Sequence, residues 1–313
     1  MHKLFILAAA ALMGAAWATE EKISGLKPRG ASGPVQVVTT TNFITDLVQQ
    51  VGGDKVRVEG LMGPGVDPHL YKASAGDVRK LSRAELVFYG GLDLEGKMVE
   101  ILGRNPRAVA VTFRIPRERL LQPSASMPGT MQVDPHVWFD VQLWRLTVPV
   151  VRDALSGVDP ANASFYAGRA QAYSRRLEQL DAFVRQQAAR VPQAQRVLIT
   201  AHDAFNYFGR AYGFEVRGVQ GISTVAEAGA KDISDLAAFI AGRRIRAVFI
   251  ETSVPQRTID AVVQAVRSRG FQTRVGGSLF SDAAGTPGTP EGTYVGMVES
   301  NIRVIVGGLL GGG

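Results

Sequence analysis

The residue type with most to say in this sequence is histidine. There are four, and no cysteine stands beside them. His2 lies in the first few residues, while His69, His136 and His202 each fall in a loop-like stretch at or beyond the end of a strand-like run. Two of them repeat a tripeptide, Asp67-Pro68-His69 and Asp134-Pro135-His136. Proline fixes its own φ and pushes the preceding residue toward extended backbone, so each tripeptide presents its imidazole from a stiff turn. One histidine alone is usually a surface or hydrogen-bonded residue. Three out of three in such settings point to a divalent transition-metal site, for which neutral imidazole is a preferred donor. With no thiol and no fourth histidine left, the remaining ligand must be a carboxylate. Asp282, beyond the last strand-like run, is the preferred candidate. Glu251, at the end of another run, competes for that place or else orients a loop. Asp67 and Asp134 are placed to accept the imidazole N–H that does not face the ion, and Glu251 is kept in the same supporting role.

Two sets of alternating elements must position these residues. In the first half the strand candidates are Val35–Thr40, Val56–Met62, Leu86–Gly90 and Ala108–Thr112, with helical stretches at Phe43–Val51, Ala75–Arg83 and Leu94–Gly103. The second half repeats the plan, with strands Arg196–Thr200, Glu215–Val219, Ala247–Glu251 and Thr273–Val275 and helices Ala204–Tyr212, Ala230–Ala241 and Gln256–Arg269. Between them, Phe165, Tyr173, Leu177, Leu180, Val184 and Ala188 mark one face of a long helix over 161–190, roughly 40 Å at about 1.5 Å per residue. The expected fold class is α/β, with two lobes, each a parallel sheet of about four strands covered by helices, joined by a single long backbone helix. The expected division is an N-terminal lobe over 35–160, a linking helix over 161–191 and a C-terminal lobe over 192–313. A helical joint is stiff, so little hinge closure is expected. In open parallel sheets ligands bind beyond the carboxyl ends of the strands, which is where His69 and His202 fall.

Composition narrows the class. Met1-His2-Lys3, an apolar run to Ala16 and an Ala16-Trp17-Ala18 site have the form of a secretory signal over 1–18, cleaved after Ala18. The run is short of the roughly 20 apolar residues that span a bilayer. Residues 19–34 are expected to form a flexible leader. Without cysteine the chain has no disulfide, no thiolate zinc site and no lipidated N-terminal cysteine, which favours a soluble periplasmic protein. The net charge of +7 is spread along helices rather than clustered with aromatics, so nucleic acid is not an expected partner.

The stretches Gly60–Tyr71, Asp134–Asp140, Thr200–Phe205 and Leu279–Ala283 together closely resemble the TroA-like manganese/zinc-binding proteins of bacterial ABC metal importers, the solute-binding cluster (A-I) built on a rigid backbone helix. The resemblance covers nearly the whole chain after the signal. It implies His69, His136, His202 and Asp282 as ligands of one Zn2+ or Mn2+, two from each lobe. It also implies capture outside the inner membrane and delivery to an ABC permease. A monomer without catalytic activity is expected.

There are departures. Asn206 stands where the family has glycine, a change expected not to touch coordination. Pro149 is expected to kink the helix after Asp140. The stretch 114–132 lacks the histidine-rich loop of zinc-specialised relatives. Three imidazoles and a carboxylate suit zinc, and a bidentate Asp282 would give five-coordination, so the residues alone do not choose between the metals. Two other readings compete. A metal-dependent hydrolase would use Glu251 or Asp134 as base, but four protein ligands close a tetrahedral shell and no H-E-x-x-H is present. A surface adhesin is the other, but nothing in these residues requires it, and the sequence has no repeats or low-complexity stalk.

Overall fold

The computed structural model describes residues 22–30, 32–122 and 133–311. The expected signal, its cleavage site and most of the stretch before Asp134 lie outside the described residues. In the first half, β1 (Val35–Thr39), β2 (Val56–Gly60), β3 (Leu86–Tyr89) and β4 (Ala108–Ala110) form one parallel sheet in the order β2-β1-β3-β4. Its helices are α1 (Asn42–Gly52), α2 (Ala75–Arg83) and α3 (Val99–Arg104). The strands after β1 lie first on one side of it and then on the other, which makes the crevice beyond β1 and β3 a topological switch point.

Local chemistry sets the helix limits. Ser74 and Asp77 form a reciprocal capping box, so α2 begins where the sequence pattern places it. The helix expected from Leu94 begins only at Val99. Gly91, Leu92 and Asp93 all take positive φ, and Glu95 turns its carboxylate back to the Thr40 hydroxyl (2.7 Å) and the Gly90 N–H (2.6 Å). That turn consumes the first part of the expected helix.

After the first sheet come α4 (Val141–Arg145), α5 (Val148–Val158) and the long α6 (Ala163–Ala188). Pro149 does not kink one helix. The chain breaks between α4 and α5, and the proline sits in the first turn of α5, where its missing N–H costs nothing. On α6 the buried stripe is Tyr166, Ala170, Tyr173, Leu177, Leu180, Val184 and Ala188. Tyr166 takes the place expected of Phe165, its hydroxyl donating to Asp159 at 2.6 Å.

The second half contains β5 (Val197–His202), α7 (Asn206–Tyr212), β6 (Glu215–Gln220), α8 (Ala230–Arg243), β7 (Ala247–Glu251), α9 (Arg257–Arg267), β8 (Arg274–Leu279) and α10 (Tyr294–Leu310). The expected four-stranded sheet is present as two parallel pairs, β5-β6 and β7-β8, with β5 lying against β7. At the carboxyl end of that seam the His202 N–H goes to the Glu251 carboxylate, not to a backbone carbonyl. Gly218 of β6 lies so close to His202 and Asp203 that a Cβ there would meet their backbone at 2.5–2.7 Å. α10 runs through Gly307 and Gly308 to Leu310 and is capped by Gly311 in the left-handed conformation. Gly308 packs there against Phe249 and the Gly276 carbonyl, leaving no room for a side chain.

The largest hydrophobic cluster is shared by both halves. Phe43 and Leu47 of α1, Trp138, Trp144, the α6 stripe, Leu198, Phe205, Tyr294 and Ile302 all belong to it. Smaller clusters fill the outer sides of the two sheet regions. Because α6 is apolar along one face for its whole length, it serves both halves as a common wall. At about 1.5–3 kcal/mol per buried large side chain, this wall is a dominant stabilising element. The expected flexible leader is docked over 22–30. Ile23 joins the main cluster, Lys22 donates to the Gly103 and Asn105 carbonyls, and the Arg29 N–H bonds Val158.

Candidate metal centre

Four side chains converge. His69, His136, His202 and Asp282 are all buried, and one donor atom of each lies within 4.8 Å of every other. His69 is held in the turn beyond β2, where its backbone N–H donates to Asp67 Oδ1 at 2.8 Å. His136 leads into a single 3-10 turn, Val137–Phe139, which Asp140 then converts into α4 by capping the Gln142 and Leu143 N–H groups. His202 is the last residue of β5, one step earlier than the expected position beyond the strand. Asp282 follows β8, which is longer than expected and runs to Leu279.

Several of the donor atoms lie at or near the separations of a coordination shell. His69 Nε2 and His136 Nε2 are 3.4 Å apart, and His202 Nε2 is 3.3 Å from Asp282 Oδ2. Asp282 Oδ1 lies 3.5 Å from His136 Nε2, and Oδ2 lies 3.9 Å from His69 Nε2. A tetrahedral ion with bonds of about 2.0–2.1 Å separates its donors by roughly 3.3–3.4 Å. Both Asp282 oxygens and His202 Nε2 are fully buried and lack a hydrogen-bond partner among the described residues. Burying such atoms unpaired is costly, and a cation among them removes the cost.

Two of the three imidazoles have a carboxylate behind them. Asp134 Oδ1 accepts from both the Nδ1 (2.7 Å) and the backbone N–H (2.9 Å) of His136. Glu251 serves His202 in the same way, at 2.6 Å from Nδ1 and 2.8 Å from the N–H. Each thereby fixes the tautomer that leaves the Nε2 lone pair facing the other donors. Glu251 is thus behind a ligand candidate, not among the four donors. Asp67 differs from its expected role: it takes the His69 backbone N–H and the Thr224 hydroxyl, and no ring nitrogen. The Thr224 contact links residues 157 positions apart.

The electrostatics follow from this arrangement. Burial disfavours the His136 cation, but Asp134 and Asp282 outweigh it and raise the imidazole to about 9. For His202, burial is likewise overcome by Glu251 and Asp282, which hold it well above the usual histidine range. His69 has no carboxylate behind its ring, and burial pushes it down to about 3. Burial also opposes ionisation of Asp282, yet His202 and His136 hold it well below the usual carboxylate range. Asp67 is raised by burial and by the charge of Asp282.

Several contributors carried no sequence signal. Tyr207 donates its hydroxyl to the Asp134 carbonyl at 2.8 Å, and Trp138 meets the His136 ring edge-on with centroids 5.1 Å apart. Asn206 does not reach the four donors, but its amide lies 3.2 Å from Asp134 Oδ2. It therefore touches the carboxylate behind His136 and none of the four donors. Beside the site a cavity of about 430 Å³ is lined by Asp67, Leu70, Thr224, Ser253 and Pro255, and none of the four donors lines it.

Comparison with known proteins gives one consistent result. The family described as zinc-uptake complex component A, periplasmic, matches residues 37–308. The chain is 49% identical over 288 residues to the zinc-binding protein TroA of Treponema pallidum, covering 91% of this chain and 92% of that protein. It is 43% identical over 280 residues to the manganese-binding lipoprotein MntA of Bacillus subtilis, covering 88% and 90%. The solved structure of the periplasmic zinc-binding protein TroA superposes with a TM-score of 0.85 at 50% identity, covering 88% of this chain and 99% of that one.

Proposed function

We propose that this chain, which belongs to the family of the periplasmic zinc-uptake complex component A, is the substrate-binding component of an ABC importer for a divalent transition metal. It captures one Zn2+ or Mn2+ through His69, His136, His202 and Asp282 and passes it to a permease in the inner membrane. The observation that carries this reading is the buried set of three imidazoles and one carboxylate, whose Asp282 oxygens have no other partner among the described residues. The metal is cargo, so the site has to bind it reversibly. Asp134 and Glu251 orient two of the imidazoles, and Asp67 fixes the backbone at the third.

The two metals are kept together. One similar protein is named for zinc and another for manganese. Three nitrogens with a carboxylate suit zinc, and a second carboxylate oxygen extends the shell for manganese. A hydrolytic reading is less well supported, because the adjoining cavity is not lined by the donors and four protein ligands already fill a tetrahedral shell.

The lobes are taken as 35–160 and 192–313 around the linking helix 161–191, and the protein as a periplasmic monomer cleaved after Ala18. Among the described residues no helix is long and apolar enough to cross a membrane. The apolar wall along α6 favours a stiff joint, with release depending on small movements at the cleft. The test is elemental analysis of protein purified from its native compartment, followed by competitive zinc and manganese titration. One tightly held zinc or manganese ion per chain is expected; no bound transition metal, or weak binding of both ions, would refute the reading.

A further inference from the structure

Asp282 comes from the second half, yet the chain around it is gripped largely by the first. Trp138 Nε1–H donates to the Ser281 carbonyl at 3.0 Å. Asn42 bonds Ala284 at two points: its Nδ2–H donates to the Ala284 carbonyl at 2.7 Å, and its Oδ1 accepts the Ala284 N–H at 2.8 Å. On the other side of Asp282, Asn301 of α10 makes the same two-point bond to Phe280, at 2.7 and 2.9 Å. The segment 280–284 is therefore fixed before, beside and after the carboxylate.

Among the described residues the Asp282 oxygens have no hydrogen-bond partner and face only the other donors of the site. The direction of the side chain is set by the backbone, and the backbone is set by these clamps. Asn42 lies just beyond β1, at the switch point of the first sheet, as the first residue of α1, whose apolar face is buried. A side-chain amide supplies one donor and one acceptor, the pair a peptide edge needs. In the resulting pose Asp282 Oδ1 faces His136 and Oδ2 faces His202 and His69, so both oxygens are turned to the same point.

We infer that Asn42 is a positioning residue that holds Asp282 with both oxygens toward the imidazoles, and that it thereby sets the site's acceptance of manganese alongside zinc. The inference rests on the reading of Asp282 as a metal ligand. Zinc is content with four donors, whereas manganese asks for more oxygen. A segment freed at Ala284 lets the carboxylate rotate to one-oxygen binding, a change that manganese registers more than zinc.

The test compares Asn42→Leu, Asn42→Asp and Asp282→Asn in the full mature chain, with competitive Zn2+ and Mn2+ titrations and the visible spectrum of the Co2+-loaded protein. Asn42→Leu removes both bonds. Asn42→Asp keeps the shape and the acceptor but loses the donor, and it decides the matter if the leucine variant does not fold. For either variant, Mn2+ affinity should fall about tenfold or more and Zn2+ affinity by less than about threefold, with a stronger Co2+ band as the coordination number drops. Wild-type affinities and spectrum, or equal losses for both metals with an unchanged Co2+ spectrum, would overturn the inference. Asp282→Asn should lose both metals. If it binds them as the wild type does, the ligand reading itself fails; if it loses them while the Asn42 variants behave as wild type, only the positioning role fails.

Discussion

Glu251 holds His202 at two points, with one carboxylate oxygen on the ring Nδ1 at 2.6 Å and the other on the backbone N–H at 2.8 Å. The residue ending β7 therefore dictates both where the imidazole at the end of β5 stands and which nitrogen it offers. Glu251→Gln keeps the volume but removes the charge and places an N–H donor opposite one of these contacts. Metal affinity should fall by about 10–100-fold, the usual cost of losing such a partner. Competition titration against a chelator checks this, and an unchanged affinity would mean that the clamp does not tune the ligand.

Binding should release protons. Without a metal the neighbouring carboxylates favour the protonated form of His136, raised to about 9, and of His202, held above its usual range, whereas burial pushes His69 down to about 3. A dication then displaces protons from these rings, and apparent affinity rises with pH toward the His136 value of about 9. Calorimetry in two buffers of different ionisation enthalpy should show the difference; identical heats would count against it.

The metal-free protein should respond to pH in the opposite sense. The folded His136 is raised from the ordinary histidine value of 6.5 to about 9, so its contribution to stability is complete below about 6.5 and is lost as pH climbs through about 9. The thermal shift on adding zinc should therefore grow between about pH 6 and 9. Melting curves across that range, with and without metal, test this; a shift that shrank with rising pH would contradict it.

At neutral pH, zinc at about a thousand times its dissociation constant should add roughly 4 kcal/mol. For a chain of this size that corresponds to a rise in Tm on the order of 8 °C. His202→Ala should abolish the rise while the protein still unfolds cooperatively. A variant that kept the full increment would remove His202 from the ligand set.

Thr224 and Asp67 join the second half to the turn that carries His69. Thr224→Val deletes that bond and should speed metal release about fivefold, the kinetic equivalent of roughly 1 kcal/mol. Stopped-flow transfer to a chelator measures it, and an unaltered rate would show that the link does not retain the ion.

Much of this was legible in the sequence, for physical reasons that differ from residue to residue. Strands such as Ala247–Glu251 and the capped helix Ala75–Arg83 announce themselves through apolar runs and local caps. Two of the three imidazoles were legible because Asp-Pro-His is a stiff local presentation, repeated at 67–69 and 134–136, and His202 because it falls at the end of a strand-like run. Contacts made at long range left no such trace. Nothing adjacent to Asn42 signals that its partner is Ala284, 242 positions away, and nothing adjacent to Trp138 points to Ser281. Asp67 was expected to serve a ring and instead serves backbone and Thr224, because the direction of a side chain within a turn depends on what packs against it. Leu94 looked helical until the Glu95 carboxylate turned back to Thr40.

The central claim is that one ion is held by His69, His136, His202 and Asp282 together. Anomalous diffraction from crystals of the zinc-loaded protein, recorded on both sides of the zinc absorption edge, tests it most directly. A single peak is predicted, with the three Nε2 atoms and an Asp282 oxygen at about 2.0–2.2 Å. A peak elsewhere, or one bound without His202 or Asp282, would contradict the account.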